Sequence, residues 1–310
     1  MEDEDARLSH EFEASRTGSI FDRQNTPRAL RLLAAQRRLY SDSKVVHNLR
    51  MVAVFGGAGL TLLATLIFKD ARILVGLISA TVLLLIGVLG GVLEKRRSQE
   101  AATVQEEFDT YVFSLGWNDM LAERPSPTLV ASAERRSTSS GLKNWYPDTK
   151  SVPRPLDILI CQRSNVGWGA SLHRLWATVL SFALAAMIAI VIGLGVLIDA
   201  SLAETLAGLI APILGPIREL AEMVRGHADN GRNKASLEVK ILSSWRKGLD
   251  DLNSVTDADC RSVQDRIFMS RQSNLSIPNW INSIRQDALE YSMQASARHL
   301  IEEARDRGLA

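Results

Sequence analysis

Apolar residues in this chain are gathered into blocks, and the stretches between them are strongly polar. Residues 52–68 and 73–93 carry no charge and are parted by Lys69, Asp70 and Arg72. Residues 177–198 hold no ionisable side chain at all. A helix needs about 20 apolar residues to cross the hydrocarbon core, so the second and third blocks predict membrane helices. The first block lies near the short limit of roughly 17 residues. Residues 202–217 form the weakest block, because Glu204, Pro212 and Pro216 interrupt it. A proline inside a helix removes a backbone hydrogen bond and kinks it, and in lipid such a kink needs the shelter of neighbouring helices. The pattern predicts a mainly α chain: a four-helix transmembrane bundle of two hairpins, with the fourth helix kinked or, alternatively, re-entrant.

Flanking cations orient the blocks. Arg28, Arg31, Arg37, Arg38, Lys44 and Arg50 precede the first, and Lys95, Arg96 and Arg97 follow the second. Arg163 and Arg174 precede the third, and Arg218, Arg225 and Arg232 follow the fourth. The opposite turns hold Lys69 and Arg72, then no cation around Asp199 and Glu204. Both termini and the middle segment are therefore expected in the cytoplasm. The acidic start, Met-Glu-Asp-Glu-Asp, lacks the basic region of a cleaved export signal.

Outside the blocks the spacing is helical. Thr26-Pro27 reads as a cap followed by a first helical residue. From Arg28 to Arg50 the chain is basic, with Leu30, Leu33 and Ala34 on one face. This fits either a helix on the lipid surface or a packed cytosolic one. Val104, Phe108, Val112 and Leu115 continue the second crossing into the cytosol. Pro125, Pro127 and the Ser/Thr/Gly run at 137–141 mark a flexible connection. Leu237, Ile241, Trp245 and Leu249 share a helix face, and a second helix spans about 257–271 with Val263 and Ile267 on one side. Ser276-Ile277-Pro278 starts a last helix whose stripe of Trp280, Ile284, Ala288, Tyr291 and Ala295 is expected in the core. The expected organisation is a disordered acidic tail (1–20), a basic helix (21–50), a first membrane hairpin (51–93), a cytosolic segment (94–175), a second hairpin (176–217) and a C-terminal helical cytosolic segment (218–310).

Small residues recur at four-residue spacing: Gly87 and Gly91, then Ala185, Ala189 and Gly193, then Ala207, Ala211 and Gly215. Such stripes let helices approach closely in lipid, either within one bundle or between subunits. No acid or base stands at mid-depth, which argues against a pump or proton-coupled transporter.

A net charge of +1 provides no global field for long nucleic acid. Cys161 and Cys260 have no metal-ligand spacing and suggest no disulfide framework. The five histidines are scattered, so neither a metal nor a cofactor is expected. Cys161 and His173 lack a third catalytic partner, and no enzyme activity is expected. The dense polar stretch before the third block holds more promise. Arg154, Arg163, Arg266 and Arg271 could contact phosphate and Gln162 and Asn165 base edges, with Trp145, Tyr146, Trp168 and Trp280 to stack on and Asp157 as an arginine partner. The same patch could couple such a site to the third block. The alternative is a structural role, with Trp168 at the membrane interface and the arginines paired to nearby acids.

Several motifs together resemble the S-4TM family, the SMODS-associating 4TM effectors that accompany oligonucleotide second-messenger synthetases in bacterial anti-phage defence. They are Ile20-x-x-Arg-Gln-Asn25, Ala35-Gln-Arg-x-Leu-Tyr-Ser41, Asn144-Trp-Tyr-Pro147 and Asp157-Ile-Leu-Ile-Cys-Gln-Arg-Ser-Asn165 with Trp168. Leu172-x-Arg174, Gln264-Asp-Arg-Ile267 with Arg271, and Ile277-Pro-Asn-Trp280 follow in order. The family pattern would place an acid at Gly169 and an arginine at His173. The resemblance implies an inner-membrane pore-forming effector in the lipid bilayer. With so few inward polar groups in a single four-helix bundle, permeation is expected to require a homo-oligomer with the small-residue stripes at its helix contacts. The effector would be switched on through its cytosolic part by a cyclic oligonucleotide from a partner synthetase. A constitutive channel or transporter and a membrane-anchored scaffold remain as alternatives.

Overall fold

The computed structural model describes residues 18–138, 141–167, 169–197, 201–273 and 275–310. Among these residues the regular elements are helices, with no strand. In chain order they are α1 (Ile20–Arg23), α2 (Pro27–Met51), α3 (Gly57–Ile67), α4 (Arg72–Phe113), α5 (Pro127–Arg135) and α6 (Leu156–Gly167). Then come α7 (Ala170–Leu197), α8 (Leu202–Glu204), α9 (Leu214–Asp250), α10 (Asp257–Gln272) and α11 (Asn279–Asp306). They divide into two compact units. One comprises Met1–Ser41, Ser98–Leu172 and Asn230–Ala310; the other comprises Asp42–Arg97 and His173–Asp229.

The second unit carries the apolar blocks. Among the described residues three helical runs are long and apolar enough to cross a membrane: Pro27–Ile67, Ile73–Phe113 and Leu156–Leu197. Large apolar side chains on these runs point outward, Leu60, Leu89 and Phe182 among them. Such a surface is far larger than a water-soluble protein tolerates and suits lipid. The fourth block is not a regular helix. It passes from α8 through a π-turn (Thr205–Ile210) and a 3-10 turn (Ala211–Ile213) before α9 begins. Pro212 supplies the reason, because its ring lacks an N–H and clashes with the carbonyl one turn earlier, and a widened turn absorbs the misfit. This irregular stretch packs closely on α4: a Cβ added to Gly76 would lie 2.1 Å from the Ala207 carbonyl oxygen. Only glycine permits that approach. Val191, Leu209 and Ile213 are buried beside it.

The first unit has a large core that includes Phe108, Phe113, Leu156, Ile158, Leu159 and Trp245. Ala29, Leu32, Leu33, Ala35 and Leu39 of α2 are buried in it, so this part of the basic helix is packed against protein and does not lie on lipid. Thr26 caps the helix by accepting from the Ala29 amide at 3.4 Å. The stripe Val104, Phe108, Val112 and Leu115 is buried, as is Leu237, Ile241, Trp245 and Leu249. The expectation for α11 needs correction. Trp280 and Tyr291 are exposed, and the helix presents Ile281, Ala297, Leu300 and Ala304 to the core. The aromatic stripe mimicked a core face because large rings dominate a hydrophobicity pattern, whereas small alanines allow the closer helix contact. Ile284 and Ala288 lie outside the described side chains, and residues 1–17 and 198–200 lie outside the described residues.

Candidate functional site

The polar stretch singled out from the sequence forms α6 and the approach to α7. Its first half is apolar apart from Asp157, with Leu156, Ile158, Leu159, Ile160 and Cys161 buried. A helix of that pattern must be enclosed by protein. Asp157 sits in its first turn, where an acid favours the helix dipole, and accepts from the Ile158 amide at 2.8 Å. Burial pushes the Asp157 carboxyl above its ordinary value. Burial likewise raises the Cys161 thiol, which makes it a poor nucleophile.

The second half of α6 places polar side chains in a buried network. Asn165 Nδ2 donates to the Tyr146 hydroxyl at 2.7 Å, and that hydroxyl donates to Asp109 Oδ1 at 2.5 Å. Asp109 Oδ2 accepts from Arg271 Nη1 at 2.6 Å and from Gln264 Nε2 at 2.9 Å. Gln264 also reaches Glu106 at 2.8 Å, and Arg261 pairs with Glu106 at 2.5 Å. Gln162 Nε2 donates to the Cys260 carbonyl at 2.8 Å. Tyr146 is fixed further by Gln24, whose side-chain amide bonds both the N–H and the C=O of its backbone, and by stacking on Phe108. The network thus ties α6 to α4 and α10 through the Tyr146 loop.

Its electrostatics are strained by burial. Glu106 is pushed up to about 7, first by burial and then by the neighbouring Asp109 charge. Tyr40 is pushed up to about 12 by burial, and burial together with Asp109 raises Tyr146. Burial works against the Arg271 guanidinium, but Asp109 overrides it and the net shift is upward. Lys234 is pushed down to about 8 by burial and by the nearby Arg271 charge.

The remaining expected site residues separate into distinct places. Arg154 pairs with Asp257 at 3.0 Å and donates to the Phe113 carbonyl at 2.9 Å. Arg163 pairs with Glu238 of α9 at 2.8 Å and donates to the Ser296 hydroxyl of α11. Arg266 is exposed on α10, and Trp168 lies outside the described residues. Gly87 and Gly91 lie close to Glu219 and Arg50, whereas Ala185, Ala189 and Gly193 are exposed on α7. Among the described residues no group of three or more His, Cys, Asp or Glu could hold a metal.

Sequence reasoning missed Glu106, Asp109 and Glu238 as partners. A signal existed for the first two. Both acids flank the apolar stripe of Val104, Phe108 and Val112 on one helix, so they had to be at least partly buried and hence partnered.

The SMODS-associating 4TM effector domain matches residues 18–300. The chain belongs to that family. A curated relative from Bacillus cereus (strain VD146), named a probable CBASS effector molecule, is 24% identical over 280 residues, covering 86% of this chain and 93% of the relative. No solved structure matches. A Cβ on Gly169 would meet Lys234 Nζ at 2.4 Å, so the lysine occupies the space a side chain there would need. His173, fully buried, bonds His227 through their Nδ1 atoms at 2.8 Å.

Proposed function

We propose that this chain is the membrane effector of an anti-phage system, permeabilising the bacterial inner membrane when a cyclic oligonucleotide from a partner synthetase acts on its cytosolic helical unit. Both termini and residues 94–175 lie in the cytoplasm, and several copies assemble to form the path. Family membership and the curated relative's name support the defence role. The carrying observation is the placement of α6. Arg163 pairs with Glu238 and Asn165 donates to Tyr146, both within the first unit, and α7, the start of an apolar run, begins a few residues later. A shift in those contacts moves the base of a membrane helix directly. Arg271 retains a buried Nη2 without a hydrogen-bond partner, and Lys234 is near it, a combination that favours an incoming anion.

The test is dye release from liposomes containing the full chain, with and without a panel of cyclic di- and trinucleotides. Release that depends on one nucleotide is expected. Conductance without nucleotide would favour a constitutive channel, and no release under any condition would favour a scaffold. Arg163→Ala should insert and assemble normally but lose nucleotide-dependent release. If that variant leaks like the parent on signalling, coupling does not pass through Arg163.

A further inference from the structure

In the unit built from Asp42–Arg97 and His173–Asp229, the apolar blocks are flanked by charge on three helices, and three of these charges turn inward. Arg50 stands just before the first block, Glu94 directly after the second, and Glu219 just after the fourth. Their side chains are 9%, 9% and 4% exposed. Neighbouring charges on the same helices, Lys95, Arg96, Arg97 and Arg225, point outward. Arg50 Nε and Nη2 both donate to Glu94 Oε2, at 3.1 and 2.9 Å, and its Nη1 donates to Glu219 Oε2. His47 Nδ1 lies 2.9 Å from Glu94 Oε1, and Ser43 donates to the Glu94 carbonyl at 3.3 Å. One guanidinium therefore joins α2, α4 and α9.

Glycines make room for this cluster. A Cβ on Gly90 would lie 2.7 Å from Arg50 Cδ, and one on Gly87 would lie 2.7 Å from Glu219 Oε1. The Gly87 and Gly91 spacing that read as a helix-packing stripe thus also accommodates an ion cluster. Such a cluster is a poor choice for stability alone, since burying the charges costs nearly as much as pairing them returns, and apolar residues would pack as well. Its better use is as a switch. Paired, the three charges satisfy one another; separated, each must be hydrated, and Glu94 and Glu219 repel.

We infer that Arg50, Glu94 and Glu219 form the closed gate of this effector, an ion-pair clasp that must part before the membrane is permeabilised. The inference rests on the permeabilising function proposed above. It assigns the closed state to contacts at the ends of α2, α4 and α9, apart from the α6 residues that carry the signal.

The full chain is reconstituted in phosphatidylethanolamine/phosphatidylglycerol vesicles, and carboxyfluorescein release is followed at rest and after a mixture of cyclic di- and trinucleotides. Arg50→Ala, which leaves two buried carboxylates facing each other, should raise resting release at least tenfold over the parent. Glu219→Gln and Glu94→Gln, which keep shape and hydrogen bonding, should raise it several-fold. Arg50→Glu combined with Glu94→Arg should bring it back toward the parent. Arg50→Ala is scored only if it reaches the vesicles at parental yield; otherwise the glutamine variants decide. If the scored variants stay tight at rest while the parent releases dye on signalling, the clasp is not the gate. If neither the parent nor any variant ever releases dye, the permeabilising function fails and the gate with it.

Discussion

Arg271 and Asp109 are joined across a 2.6 Å ion pair in which the Asp109 carboxylate is wholly buried. The pair links α10 to the polar C-terminal part of α4. The same carboxylate receives the Tyr146 hydroxyl and the Gln264 amide. Removing one member of a buried pair leaves an uncompensated charge and typically costs about 3–5 kcal/mol. Arg271→Ala should lower the unfolding temperature of the detergent-solubilised protein clearly more than Arg266→Ala, whose parent residue is exposed. Equal shifts in thermal denaturation would show that Asp109 is satisfied in another way.

Glu106 predicts a pH dependence. Its folded value of about 7 lies above the ordinary glutamate value of 4.5. The native state therefore binds more protons than the unfolded state between these values. Its contribution to stability falls as pH rises from about 4.5 to 7 and then levels off. Glu106→Gln should remove this slope. The stability of the variant relative to the parent should improve by about 1–3 kcal/mol over that interval. Thermal melts of both proteins at pH 5 and pH 7.5 would measure it, and parallel pH profiles would contradict the assignment.

Topology can be probed with a single thiol. Cys161 and Cys260 are buried, and burial pushes the Cys260 thiol up to about 12, so neither should compete for a maleimide. Thr138→Cys, exposed in the middle segment, is expected to label only after the inner membrane is breached. Labelling in intact spheroplasts would reverse the orientation.

The outward stripe on α7 should govern assembly. Ala185, Ala189 and Gly193 are exposed, and a Cβ on Gly193 meets nothing within 4 Å, so these residues have space for a neighbouring helix. Close approach of small residues stabilises helix association in lipid. Ala189→Leu should reduce oligomer size in crosslinking and weaken dye release without lowering insertion. Unchanged oligomers and release would show that the stripe faces lipid alone.

The sequence alone determined the membrane blocks, the long helices that continue from them and the faces bearing Phe108 and Trp245. Each depends on local period and length: an uncharged run must leave water, and a stripe at helical spacing must find cover. The dense polar patch around Arg163 at the mouth of the third block was also legible, because composition is local, but that it continues as the helix α6 was not. What only the tertiary structure decided was the partner of each charge. Arg154 meets Asp257, Arg163 meets Glu238 and Arg50 meets Glu94 and Glu219, all across long separations in the chain. Periodicity does not show which helix a face meets, so the Arg50 clasp left no trace in the pattern; on α11 it misplaced even the face, because Trp280 and Tyr291 outweighed the small alanines that pack inward. Burial is a property of one helix and its period, whereas pairing belongs to two helices and their register, which is fixed only when the whole core packs.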